Sequence, residues 1–160
     1  MKTLLLTPAK MAMSWLTIIM AGIVAGTLDA LGAIVVYSIP TVSLFQFIAS
    51  AAFGQVAFTS VSPYLWWGIF FHYLIATVWA TIFVLFYPLL CRIAGSWIVQ
   101  GIAYAILIWA VMNLIVLPMT HLAPTKFSFH SVSVAMIILI VMVGLPIAYI
   151  VNKRIRASDK

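Results

Sequence analysis

Acidic residues are almost missing from this chain. Only two of its 160 residues are Asp or Glu, against eight Lys and Arg. Asp159 sits in the C-terminal tail, whereas Asp29 lies within the run GIVAGTLDALGA, otherwise apolar or very small. With so few carboxylates, the paired-acid chemistry of glycoside hydrolysis is excluded. Cysteine is as scarce: the lone Cys91 cannot form an intrachain disulfide and points to no redox compartment. No phosphate-binding or dinucleotide-binding glycine loop is present, and no GxSxG elbow. The three histidines, His72, His121 and His130, fall at none of the HxxxH, HxH or ExxH spacings that hold a metal. The catalytic inventory is thin, and neither an enzyme nor a cofactor is expected.

What is abundant is apolar surface. Hydrophobic residues make up 66% of the chain and charged ones 6%. A small fold cannot hide so much apolar surface from water, so the chain reads as an all-α integral membrane protein, a single domain over 1–160. Four runs, about 14–37, 64–90, 97–118 and 131–151, are long enough to cross about 30 Å of hydrocarbon as helices. Their unbroken hydrophobicity excludes the alternating pattern of a barrel. Trp15, Tyr37, Tyr64, Trp66, Trp67, Tyr87, Trp97 and Tyr149 lie near the run ends, where amphipathic rings favour the interface. Pro63, Pro88 and Pro118 fall near expected helix ends, while Pro146 lies inside the fourth run and should kink it. The opening MKTLLLTPAK is read as leading into a retained first span rather than a cleaved signal, because the apolar stretch that follows is too long.

The net charge of +6 is distributed as an orientation signal rather than a nucleic-acid patch. Lys2 and Lys10 precede the first run, and Arg92 lies between the second and third. Lys153, Arg154, Arg156 and Lys160 follow the last, and only Lys126 falls elsewhere. The positive-inside rule then puts both termini and the CRIAGS link in the cytoplasm. Segments 38–63 and 119–130 face outward. Within the first of these, 42–54 has helical character with Gly54 as a natural stop, predicting a short interfacial or re-entrant helix on the outer side.

Asp29 can now be placed. It lies eight residues in from Tyr37, and His72 lies eight residues in from Tyr64, so both sit roughly 12 Å below the outer surface. Asn113 shares the outer half of the bundle. An aspartate at the centre of a membrane helix costs about 2.5–3.5 kcal/mol, so it should face the interior and find a partner. Keeping it protonated at pH 7 costs roughly 4 kcal/mol from its ordinary pKa, whereas protonating a histidine costs under about 1 kcal/mol. A carboxylate facing an imidazolium, or hydrogen-bonded to neutral His72 or to Asn113, is the expected arrangement. Gly22, Gly26, Asp29 and Ala33 share one helical face, and Gly68, His72, Ile75 and Trp79 another. These faces are expected to meet. Packing alone also explains the small residues, and a buried hydrogen-bond anchor also explains Asp29.

Several stretches resemble small bacterial membrane proteins of unassigned activity: AGTLDALGA, IASAAFGQVAF, FHYLIATVWATIFVLFYP, GIAYAILIWAVMNLIVLPM and ILIVMVGLPIAY. More distantly, residues 64–127 are similar to the YagU family of bacterial inner-membrane proteins. There too a histidine-bearing span ends near a Phe/Tyr-Pro, and His72 and Pro118 hold matching positions. The resemblance implies a multi-pass helical bundle in a bacterial inner (plasma) membrane and brings no substrate, cofactor or catalytic residue. Read together, these features suggest a small channel-like, permease-like or stress-related bundle with an outward-facing polar pocket formed by Asp29, His72 and Asn113. Its partners would be the lipid bilayer and a small ion or proton. The alternatives are an accessory subunit of a larger membrane complex or a homo-oligomer, packed through the small-residue face, and an intramembrane metal-binding enzyme.

Overall fold

The computed structural model describes residues 8–122 and 128–158, with side chains described over 15–122 and 128–155. Asp159, Lys2, Lys126 and Lys160 lie outside the described residues, as do the side chains of Lys10 and Arg156. Among the described residues the chain is all-helical, without strands. Five helical stretches are long and apolar enough to cross a membrane: Trp15–Tyr37, Thr41–Phe58, Tyr64–Ile93, Trp97–Met119 and Phe129–Ile155.

The first is the body of helix α1 (Pro8–Tyr37), which ends where Ser38 takes a positive φ of 51° and Pro40 opens the next helix. Helix α2 (Thr41–Phe53) stops at Gly54, whose φ of 67° suits a residue without a Cβ, and a 3-10 turn follows over Gly54–Phe58. Gln46, buried in α2, donates through its amide to the carbonyls of Ala57 and Ser60, both at 3.1 Å, which folds this turn back onto the helix. A cis Ser62–Pro63 bond then leads into α3 (Tyr64–Ile93). Pro88 does not end α3, as its place in the sequence suggests, but lies inside it on an exposed face. Its missing N–H removes one backbone bond from the helix interior.

Helix α4 (Trp97–Val111) begins at Ser96, whose hydroxyl accepts from the Ile98 amide, and widens into a π turn over Met112–Val116. Helix α5 (Phe129–Ile138) is opened by a Ser128–Ser131 capping box. A π turn over Leu139–Gly144 joins it to α6 (Leu145–Ser158) in one rod. That π turn immediately precedes Pro146, the position where the sequence predicts a kink. Widening the helix there accommodates a residue that cannot donate its backbone hydrogen bond.

Contacts along the rods fix their directions. Gly22 of α1 abuts Thr77 of α3, while Gly26 abuts Tyr73 and Ala76, so the two helices run antiparallel. On the other side of α1, Met20 accepts from Arg154 at 3.1 Å and Gly32 packs on Ile138 and Met142, again antiparallel. Trp79 meets the Tyr104 ring and Cys91 accepts from Gln100, so α3 and α4 are antiparallel too. Trp97 against Tyr149 and Gly101 against Gly144 set α4 antiparallel to the α5–α6 rod. The α4–α6 crossing is the tightest of these. A Cβ on Gly144 would run into the Gly101 carbonyl, so the two backbones touch. The shared core holds Ile18, Ala21 and Ala25 of α1, Ala80 and Phe83 of α3, Tyr104 and Ile108 of α4, and Ile147 and Val151 of α6.

Helix α2 lies across α3 rather than alongside its length. Phe45 meets Gly68 and His72, while Phe53, two turns later, meets Tyr64, Trp67 and Phe71. Each of these contacts falls within the first nine residues of α3, Tyr64 to His72. Gly68 therefore packs on the α2 backbone at Phe45, not on α1 as its helical face suggests, because α2 occupies the space beside the start of α3.

Candidate functional site

A cavity of about 470 Å³ lies beneath α2. Helix α2 contributes Leu44, Phe47, Ile48 and Ala51, and the end of α4 and its following loop add Met112, Leu117 and Thr120. Trp79, midway along α3, and Ile108, in the last turn of α4, form its deep end. The loop is tied to α2 by the His121 amide, which donates to the Ala51 carbonyl at 3.1 Å. The volume falls within the range of small-molecule sites, about 300–1,000 Å³.

Asp29 and His72 both line this cavity. The antiparallel register of α1 and α3 puts His72, next to Tyr73, at the level of Gly26, one turn before Asp29, so the two side chains open onto the same space. The imidazole does not hydrogen-bond the carboxylate, however. Its Nε2 lies 2.7 Å from the Gly26 carbonyl oxygen, which can only accept, so Nε2 carries the proton and donates. The ring also packs edge-on against Phe45, with centroids 5.8 Å apart, and against Tyr73 at 5.4 Å. With its orientation set on three sides, His72 faces the same space as Asp29 without pairing to it.

Asp29 itself is half-buried and makes no hydrogen bond or ion pair with any described residue. No fully buried side-chain nitrogen or oxygen among the described residues lacks a partner. The carboxylate is thus not sealed into packing but borders the cavity. Side chains on a helix tilt toward its N-terminus, which directs this one back toward the level of Gly26.

The remaining predicted residues fall as follows. Asn113 does not join Asp29 and His72. It donates to the Trp109 carbonyl at 2.9 Å, one turn earlier on its own helix, and is not among the residues lining the cavity. An asparagine within a helix can satisfy itself on the preceding turn, and here that bond adjoins the π turn at Met112–Val116. Ala33 lines the cavity, Gly22 and Gly26 form the α1–α3 seam, and Gly68 carries α2. Among the described residues no group of three or more His, Cys, Asp or Glu side chains is placed to hold a metal ion.

A second polar cluster, not foreseen from the sequence, sits at the other end of the bundle. Gln100, 1% exposed, donates to the Ala94 carbonyl at 2.8 Å, and Asn152, 5% exposed, donates to the Gln100 side-chain oxygen at 3.5 Å. Both residues lie at the ends of their apolar runs, where an amide reads as interfacial. A polar residue one turn inside a tryptophan or tyrosine belt, as Gln100 is from Trp97, was the available clue. Deeper in, the Tyr104 hydroxyl donates to the Trp79 carbonyl at 2.5 Å, closing the bundle below the cavity. No family model matches the chain, and no curated protein or solved structure is significantly similar to it.

Proposed function

We propose that this chain is a small permease-like protein of a bacterial inner membrane, in which Asp29 and His72 bind or relay a cation or proton within the cavity. Four rods cross the bilayer, and α2 closes over the outer end without crossing. Two features support that count over five crossings. Helices α1 and α3 run antiparallel, so a segment between them has to return to the side it left. In addition, the ring contacts of α2 with α3 fall on the first nine residues of α3. Arg92, Lys153 and Arg154 lie at the end away from α2, and with the other basic residues they support cytoplasmic termini.

The observation that carries the functional reading is the meeting of an unpaired carboxylate and an imidazole at one cavity inside an apolar bundle. Ionisable groups at such a depth are costly, and they mark ion or substrate paths when they face a cavity. The rival reading, an accessory subunit packed through its small-residue face, is weakened because Gly22, Gly26 and Gly32 are already covered by α3 and the α5–α6 rod. Ion flux in proteoliposomes tests the proposal. Native protein should carry protons or a monovalent cation, inorganic or organic, down an imposed gradient, and Asp29→Asn should reduce that flux at least tenfold. Absence of flux from the native protein under every gradient rejects transport.

A further inference from the structure

We infer that the cavity takes a monovalent organic cation, an amine or quaternary ammonium on an apolar body, with Asp29 as its counter-ion. This rests on the proposed transport reading and narrows its cargo. The lining decides the class. Apart from Asp29, His72 and Thr120, the side chains that reach the cavity are alkyl or aromatic, among them Phe47, Phe71, Trp79, Leu44 and Ile108. An inorganic cation needs oxygen ligands on most sides, six to eight for a calcium ion, and these walls offer one carboxylate and one hydroxyl. An anion would sit beside the carboxylate, and with no Lys or Arg in the lining only His72 is there to offset that repulsion. A neutral apolar molecule would fill the volume but give the one acidic side chain at the cavity nothing to bind.

A cation carried on a hydrophobic body satisfies both surfaces at once. Its head neutralises Asp29, which no described residue pairs. Its body packs on the apolar walls, where Phe47 and Trp79 are among the aromatic side chains. His72 is held by Gly26 and Phe45 and so does not swing in to compete for the carboxylate.

Benzyltrimethylammonium and its neutral carbon isostere neopentylbenzene differ in charge at constant shape, and the fixed charge removes any proton equilibrium on the ligand. Binding of radiolabelled benzyltrimethylammonium to the full chain in lipid nanodiscs should be saturable. An excess of rubidium or sodium should not displace it, and neopentylbenzene should displace it at least tenfold less well than unlabelled ligand. Asp29→Asn should weaken binding at least tenfold. Ala33→Phe, which fills the cavity and leaves the carboxylate in place, should do the same. Monodispersity and melting temperature of each variant separate lost binding from lost folding. Equal binding by native protein and a folded Asp29→Asn variant overturns the inference, as does absence of saturable binding to the native protein. If binding fails while Asp29-dependent proton or rubidium flux persists in proteoliposomes, the cargo assignment is wrong and the transport reading stands. If both fail, the transport reading goes too.

Discussion

The two ends of the bundle treat buried polarity in opposite ways. At the α3–α4 turn, Gln100 is shielded from solvent, and its amide is engaged by Ala94 and Asn152. At the α2 end, Asp29 keeps a bare carboxylate beside a cavity of about 470 Å³, while the neighbouring histidine is bonded elsewhere. One chain therefore contains both solutions available to a polar group in an apolar bundle, closure by a partner or exposure to an internal space. Neutral amides that donate and accept can close on each other at modest cost. A lone charge cannot, and it is retained where it has room. The closed end is thus the one where substitutions should act on stability.

Opening the closed end should give the largest effect. Gly144→Ala places a Cβ against the Gly101 carbonyl, a backbone atom that cannot rotate away. Overpacking of this kind costs about 1–3 kcal/mol, or more where the neighbour is rigid. A clear drop in the thermal midpoint in detergent is expected. Gly95→Ala, where an added methyl meets nothing within 4 Å, should leave the midpoint unchanged and serves as the control. Equal midpoints for the two variants would mean that the α4–α6 seam is not what holds this end shut.

Next in size is the amide pair itself. Gln100→Ala strands the Ala94 carbonyl and the Asn152 amide, at an expected cost of about 1–2 kcal/mol. The double variant Gln100→Leu with Asn152→Leu removes both partners together and should come closer to the native midpoint than Gln100→Ala does, since neither side chain is then left polar and unpaired. A double variant less stable than Gln100→Ala would show that the pair contributes packing shape rather than hydrogen bonding.

These two variants act on residues that were the harder half of the molecule to read. The helices are legible because continuous apolar runs leave one solution in lipid, and Asp29 is legible because it is the only carboxylate within them. Its placing within a turn of His72 follows from counting residues inward from two aromatic belts. The α1–α3 seam follows from glycines four apart on one face. The Gly101–Gly144 contact has no such signature, since each glycine is alone on its helix and only tertiary packing pairs them. Gln100 and Asn152 are obscured by their place at the run ends, where a polar side chain normally meets headgroups. The partner of Gly68 was hidden for another reason. A face can be read from a period, but which helix covers it depends on the course of the intervening segment, here α2 crossing at Phe45.

The smallest expected effect lies at the open end and bears most directly on the comparison. Asp29→Asn preserves shape and removes the charge. If the carboxylate were an anchor, its loss would leave a partner unsatisfied and cost about 1–3 kcal/mol. No described residue bonds it, so there is no partner to strand. What the substitution removes is an ionisable group that is costly to hold in an apolar bundle, whichever form it takes. The midpoint of Asp29→Asn should therefore match the native value or exceed it, within about 0.5 kcal/mol on the destabilising side. His72→Phe, by contrast, gives up the bond to the Gly26 carbonyl and should lose about 0.5–1.5 kcal/mol. That ordering, with the histidine structural and the aspartate dispensable for folding, separates a scaffold from a site. A destabilisation by Asp29→Asn larger than that of His72→Phe would reverse it, and the open end would then be a second closed one whose partner the bundle supplies only on folding.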